Sequence, residues 1–373
     1  MANNYFYQPV KVYCGEGKLN ELSAICLEHG YKRGLLIIDK LFVNNGFADL
    51  LIQKCPLLVG VFSDITPNPR LSEVMQAANL LNALQADFAV AIGGGSALDL
   101  AKFACSMASA EYDIRDYFYK KRTFDKKGAA LIAVPTTAGT GSEVTAVAVC
   151  NDEINGVKAP LLHTNFYPSI AVIDPILTLS VPPHITAATG LDALSHALEG
   201  YWSVNHNPIS DALATESARL IFANLEKAYK YGNDIEARSN MSLAALLAGM
   251  AFATPKTAGV HACSYPLSEN YGLSHGEACA FTLDSFIRLN ATAEEGRVNR
   301  LATTLGFADA DAMADEVLRL KRVTRMRCSL KAFGIEDIMG LAAASAAHPL
   351  MNNNPRKLTV DELIAMYKDI GNG

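Results

Sequence analysis

The paired prolines Pro182-Pro183 separate two stretches of chain that follow different hydrophobic periods. Ahead of them, short apolar runs with almost no charge recur: GLLII at 34–38, LVGVF at 58–62, FAVAI at 88–92, AALIAV at 129–134 and SIAVI at 169–173. Such runs fit strands buried on both faces of a parallel sheet. Helical patterns lie between them. Leu71, Val74, Ala78 and Leu81 share one face, and the stretch 19–28 ends at Gly30, a residue suited to a left-handed C-cap. The alternation predicts an α/β domain, Rossmann-like, with a doubly wound parallel sheet. Behind the prolines the β-branched runs vanish. Leu213, Leu220, Ile221, Leu225 and Ala228 form an apolar stripe after the turn signal Asn207-Pro208. The sequence therefore reads as an α/β domain over 1–183 and an all-helical domain over 184–373.

A chain of 373 residues, half of them apolar, can bury a core in each part. Its net charge of −6 argues against a global basic field for nucleic acid or anionic lipid. The eight cysteines are scattered with no CxxC pair, which reads as reduced thiols in a cytoplasmic protein. The leading segment MANNYFYQPVKVYCGEG lacks the basic-then-apolar order of a signal peptide, and the most apolar stretch, 243–253, is too short to span a bilayer. No membrane or nucleic-acid partner is expected.

Two glycine-rich loops carry the first chemical signal. FAVAIGGGSALDLAK (88–102) is a strand, three glycines, a serine and a helix. Glycines let a backbone approach phosphate oxygens, and a helix N-terminus offers unpaired N–H groups with a positive dipole end. A plain strand-to-helix turn would look the same. The second loop, AVPTTAGTGSEVT (133–145), also leaves a strand, and its Thr136, Thr137, Thr140 and Ser142 are candidate donors to a nucleotide. Two such loops at carboxyl ends of strands favour a dinucleotide site. Asp39, ending GLLIID, is either a turn former or an acceptor for a ribose 2′-hydroxyl; the latter implies NAD(H) over NADP(H).

The second signal is a set of metal-ligating types. GLDALSHALEGY (190–201) places Asp192 and His196 four residues apart, on one face of a helix. GVHACSYPLSENYGLSHGEAC (259–279) adds His261 and His275. Three imidazoles and a carboxylate form a ligand set for a divalent transition metal with room for a substrate oxygen. His29, His163, His184, His206 and His348 do not fit the pattern and are read as structural.

Taken in order, TPNPR (66–70), GGGSALDLAK, PTTAGTGSEVT, GLDALSHALEGY, NPISDAL (207–213), the two-histidine segment and NPRKLT (354–359) resemble the iron-containing alcohol dehydrogenases along nearly the whole chain. The resemblance extends in fold to glycerol dehydrogenase and dehydroquinate synthase. It implies Asp192, His196, His261 and His275 as ligands of Fe2+ or Zn2+. It also implies Asp39, Asn68, Gly94, Gly95, Ser96, Asp99, Thr136, Thr137 and Lys158 as contacts of NAD(H), with Thr140 and Ser142 beside them. A site in the cleft between the domains, a homodimer or larger homo-oligomer, and hydride transfer between nicotinamide and a small aldehyde or alcohol are implied likewise.

Two departures bear on substrate and catalysis. Tyr265 stands where many relatives carry a second histidine, four residues after His261, and either substitutes through its hydroxyl or reshapes the pocket. Lys256, in FATPKTAGVH, replaces a small uncharged residue and is read either as a surface lysine or as the holder of an anionic substrate group. HACSYPL is similar to the phosphonoacetaldehyde reductase (2-hydroxyethylphosphonate dehydrogenase) branch of the family. Competing readings are a general short-chain or lactaldehyde-type alcohol dehydrogenase, a dehydroquinate synthase-like lyase, and a non-catalytic nucleotide-binding protein.

Overall fold

The computed structural model describes residues 5–372. Residues 1–4 and 373, the outermost positions of the two expected domains and the start of the leading segment, lie outside them. The described residues divide into two compact units, one built from 8–137 and 142–178, the other from 179–372 together with 138–141 and 5–7.

The first unit is a six-stranded parallel sheet with a small hairpin. Its strands are β1 (Lys11–Cys14), β2 (Gly34–Ile38), β3 (Leu58–Phe62), β4 (Phe88–Gly93) and β5 (Ala130–Pro135), then the antiparallel hairpin β6 (Val147–Asp152) and β7 (Val157–Leu162), and finally β8 (Ile170–Ile173). The sheet order is β1-β8-β5-β4-β2-β3. Five strands fall where the apolar runs place them. β1 and the hairpin are additions. KVYC is short and exposed at both ends, and β6 alternates buried with half-buried residues, so neither forms a continuous apolar run.

Alternation across the pleat splits this core in two. Leu35, Ile37, Ala89, Ala91 and Ala133 pack with Leu71, Val74, Leu98 and Phe103 of the helices Leu71–Ala83 and Gly95–Met107. Leu36, Ile38, Val90, Ile92 and Val134 pack with Leu22, Ile25 and Leu51 on the opposite face. Helices on both faces make the sheet doubly wound. The order reverses between β2 and β4, whose ends pair Ile38 with Ile92. That is the switch point at which open α/β sheets gather ligands.

The second unit is helical throughout. Pro183 opens the helix Pro183–Trp202 at a position where a missing N–H costs nothing. Asn207 caps Pro208–Lys230: its Oδ1 accepts from Ile209 and Ser210 N–H, and its own N–H donates to Ser210 Oγ. Four of the five stripe residues, Leu220, Ile221, Leu225 and Ala228, are buried in the core around Trp202, while Leu213 is half-buried. The segment 138–141 is built into this unit. Gly141 adopts φ +60° and lies so close to the helix Ile235–Ala253 that a Cβ would meet Gly249 Cα at 2.5 Å. Among the described residues no helix is long and apolar enough to cross a membrane.

Candidate active site

The switch point of the sheet brings several expected nucleotide contacts together. Asp39 follows β2, and its carboxylate accepts from the Gly94 N–H; burial raises its pKa while that bond opposes the rise. Gly94 is the N-cap of the helix Gly95–Met107, and Gly94, Gly95 and Ser96 are half-buried there. Asn68, exposed and at φ +56°, donates its backbone N–H to Ser96 Oγ at 3.3 Å. The Thr136 N–H donates to Gly93 O at 3.0 Å, and the Thr137 side chain lies next to Gly94.

Asp99 and Ser142 meet each other: Ser142 Oγ donates to Asp99 Oδ1 at 2.7 Å, and Asp99 Oδ2 accepts from Val149 N–H at 2.9 Å. Lys102, fully buried, donates to Val147 O at 2.7 Å, and burial pushes its pKa down to about 8. These contacts anchor the hairpin to the helix. Asn151 N–H also donates to Pro69 O, and its pairing partner across the hairpin is Lys158, which thereby stands beside the segment bearing Asn68. Thr140 belongs to the segment 138–141 of the helical unit.

In that unit, the four expected ligands come from three helices: Pro183–Trp202, Gly259–Tyr271 and His275–Asn290. Asp192 Oδ1 lies 3.9 Å from His196 Nε2, 3.8 Å from His261 Nε2 and 3.7 Å from His275 Nε2. Gly276 permits this convergence. A Cβ there would stand 2.2 Å from Ala188 O, so only glycine lets the His275 helix start against the Asp192 helix. Asp192, His196 and His261 are buried, whereas the His275 side chain is 45% exposed and marks the open side.

The atoms present suit a divalent metal. Asp192 Oδ1 is buried and has no hydrogen-bond partner, a costly state for a carboxylate that a cation relieves. His196 Nε2 and His261 Nε2 face each other at 3.1 Å, which needs a cation or a proton between them. Burial pushes the His196 pKa down to about 3, keeping it the neutral imidazole that ligation requires. For Asp192, burial alone raises the pKa, but His196, His275 and His261 outweigh it and hold the carboxyl below its ordinary range.

Three residues to which the sequence reading gave no place in the site, His348 having been read as structural, stand beside these ligands. Glu199, wholly buried, hydrogen-bonds His261 Nδ1 and accepts from Ala258 and Val260 N–H. Nδ1 thus carries the proton and Nε2 turns its lone pair inward, the carboxylate–histidine arrangement of metal sites. The available signal was its place three residues after His196 in the same apolar helix. Cys279 is the second: its Sγ and the ligand atoms of Asp192, His261 and His275 all lie within 4.8 Å of one another. The third is His348, whose ring stacks on Tyr265 at 4.5 Å, while Tyr265 turns its edge toward His275 at 6.5 Å.

Lys256 lies beyond the opposite flank. Phe252 stacks on His196 at 4.2 Å, and the Lys256 N–H donates to Phe252 O at 2.8 Å. Lys256 itself adopts φ +68°, a conformation that disfavours any residue with a Cβ. Its neighbours are pinned: Ser203 Oγ donates to Pro255 O and Asn353 Nδ2 to Thr257 O, both at 2.8 Å.

A doubly wound sheet with a glycine-rich loop at its switch point, and in the other unit a buried carboxylate ringed by imidazoles, are features of an enzyme that uses a dinucleotide and a divalent metal. Comparison with known proteins narrows the class. The model of the iron-containing alcohol dehydrogenases matches residues 9–175, and that of the C-terminal part of the Fe-containing alcohol dehydrogenase family matches 186–371. The chain belongs to this family. It is 40% identical over 292 residues to long-chain-alcohol dehydrogenase 1 of Geobacillus thermodenitrificans, covering 76% of this chain and 73% of that protein. It is 34% identical to 1-propanol dehydrogenase PduQ of Salmonella typhimurium, over 98% of this chain and 100% of that one. Among solved structures, sulfoacetaldehyde reductase from Bifidobacterium kashiwanohense, in complex with NAD+, is 42% identical, with a TM-score of 0.96 over 98% of each chain. The protein is an NAD-dependent oxidoreductase of alcohols and aldehydes, with NAD(H) and iron as its cofactors.

Proposed function

We propose that this protein reduces a short aldehyde bearing a phosphonate or sulfonate, phosphonoacetaldehyde being the reference substrate, and that Lys256 holds the anionic group. The observation that carries this reading is the state of Lys256. It is half-buried, its pKa is lowered by burial, and no carboxylate pairs with it among the described residues. A desolvated ammonium in a strained but pinned turn, one helical turn from the ring that covers His196, suits an anion better than an apolar chain. The similarity to a sulfoacetaldehyde reductase supports an anionic aldehyde.

Asp192, His196, His261 and His275 would hold the metal, which when bound supplies Lewis acidity at the substrate's carbonyl. Glu199 fixes the tautomer and angle of His261. Phe252 covers His196 and excludes water from that side. Asp39, Asn68, Gly94, Gly95, Ser96, Thr136, Thr137 and Lys158 hold the NADH, with Asp99 and Ser142 tying the helix Gly95–Met107 to the hairpin. Asp39 favours the 2′-hydroxyl of NADH over the phosphate of NADPH. Tyr265, stacked on His348, forms the pocket wall beside His275. Eight free thiols support a cytoplasmic location, and the family resemblance supports a homo-oligomer.

A neutral short-chain or lactaldehyde-type substrate is the second reading. It is favoured by the bond from Lys256 Nζ to Ala253 O, which gives the lysine a purely local job at a helix end. The test is NADH oxidation by anaerobically purified enzyme loaded with Fe2+ or Zn2+, offered phosphonoacetaldehyde, sulfoacetaldehyde, butanal and lactaldehyde. We expect the highest kcat/KM with an anionic aldehyde. Lys256→Ala is expected to raise its KM about tenfold to a hundredfold, the loss of one charge-assisted hydrogen bond, while butanal is unaffected. Equal loss with butanal, or none with either, sinks the role of Lys256.

A further inference from the structure

The core that Leu22, Ile25 and Leu51 share with one face of the sheet also holds two thiols with no part in the chemistry above, Cys26 and Cys55. Cys26 sits in the helix Leu22–Glu28, and Cys55 ends the helix Phe47–Lys54. Both are buried, and they meet: the Cys26 thiol donates a hydrogen bond to Cys55 Sγ. That sulfur also accepts from the N–H groups of Leu57 and Leu58 and from the Ser23 hydroxyl. Donors gathered on one sulfur stabilise its thiolate. The bond from Cys26 lowers the Cys55 pKa most, against the opposing effect of burial, while the same bond and burial raise that of Cys26. The backbone holds the arrangement, since Cys55 N–H donates to Leu51 O at 2.8 Å and Cys55 O accepts from Leu58 N–H at 3.0 Å. Cys55 lies just beneath the surface, in a non-helical turn between exposed Lys54 and Pro56.

We propose that Cys26 and Cys55 form a redox-active dithiol, a modification site that a hydroperoxide converts to a disulfide within the fold. Cys55 is the attacking sulfur and Cys26 the resolving one. The Cys55 thiolate attacks the terminal peroxide oxygen; the O–O bond breaks, an S–O bond forms, and the leaving alkoxide takes up the proton that Cys55 gave to solvent. The Cys26 sulfur then attacks the Cys55 sulfur. Its S–H bond and the S–O bond break, the S–S bond forms, and water leaves with the Cys26 proton. Two thiols lose two electrons and the peroxide gains them. The link closes a covalent loop around β2 and Asp39, and exchange with an external dithiol reopens it. The metal-ligating residues belong to the other unit and take no part.

The experiment treats full-length protein, loaded with Zn2+ so that no redox-active metal meets the peroxide, with tert-butyl hydroperoxide. Remaining thiols are then blocked and the peptides mapped by mass spectrometry. We expect a Cys26–Cys55 linked pair, reversed by dithiothreitol, to form at least about tenfold faster than the exposed Cys14 is modified, because the Cys14 thiol has a raised pKa. With dimedone present, Cys26→Ser should carry a sulfenic acid adduct on Cys55, whereas Cys55→Ser should leave Cys26 unmodified at the same dose. Cys150→Ser, which alters the core on the other face of the sheet, should form the link as the wild type does. Modification of Cys14 while Cys26 and Cys55 stay reduced overturns the proposal. An adduct on Cys26 in Cys55→Ser overturns the assignment of roles. The wild-type peptide map decides even if the variants do not fold.

Discussion

Around Asp39 and Gly94 the sheet unit offers mainly backbone, whereas the helical unit offers side chains. In the first, the end of β2, the loop after β4 and the start of one helix meet through regular geometry, and the Asp39 carboxylate is tied to the Gly94 N–H. In the second, three helices must bring Asp192, His196, His261 and His275 to within 4 Å of one another or of Asp192 Oδ1, at the cost of a buried, unpartnered oxygen. Backbone sites tolerate changes in side chain; convergent sites do not. The difference teaches where function is fragile.

Asp192→Ala gives the sharpest separation. Metal content should vanish and kcat/KM fall on the order of a thousandfold, the scale of losing a preorganised electrophile, with NADH affinity nearly unchanged by fluorescence titration. Collapse of NADH binding as well would break the contrast. Glu199→Gln should cost about tenfold to a hundredfold in metal affinity, measured by chelator competition, because His261 loses the acceptor that sets its tautomer. On the sheet side, Asp39→Ala should improve the NADPH-to-NADH ratio of kcat/KM by about tenfold while metal content stays the same. A drop in metal content would show that the two preparations are coupled. The smallest effect concerns Lys256: Lys256→Gly should unfold at least as high in temperature as Lys256→Ala, since glycine relieves a positive φ that costs an L-residue about 1 kcal/mol.

The same contrast explains what the sequence revealed. Strands such as GLLII and FAVAI are legible because burial on both faces leaves a continuous apolar run. The hairpin β6–β7 is not, because its alternation is confined to one small ribbon whose anchors, Lys102 and Asp99, lie in another element. Asp192 and His196 share a helical face by spacing alone, but their meeting with His261 depends on tertiary packing, and the family resemblance supplied that link. Glu199 and His348 escaped because each meets its partner, His261 or Tyr265, only through tertiary packing, and a buried Glu in an apolar helix carries no local mark of that meeting. Cys279 stands four residues after His275 on one helix, a spacing that sequence alone could have flagged.

The segment 138–141 has a consequence for engineering. Four residues in the middle of the nucleotide-binding sequence are part of the helical core, where Gly141 sits against Gly249. The units are therefore not interchangeable cassettes. A gene fusion that replaces 8–178 with the equivalent stretch of a relative would import four foreign residues into a core that excludes even a methyl group. Grafts that keep 138–141 from this chain should yield soluble chimeras where straight swaps do not.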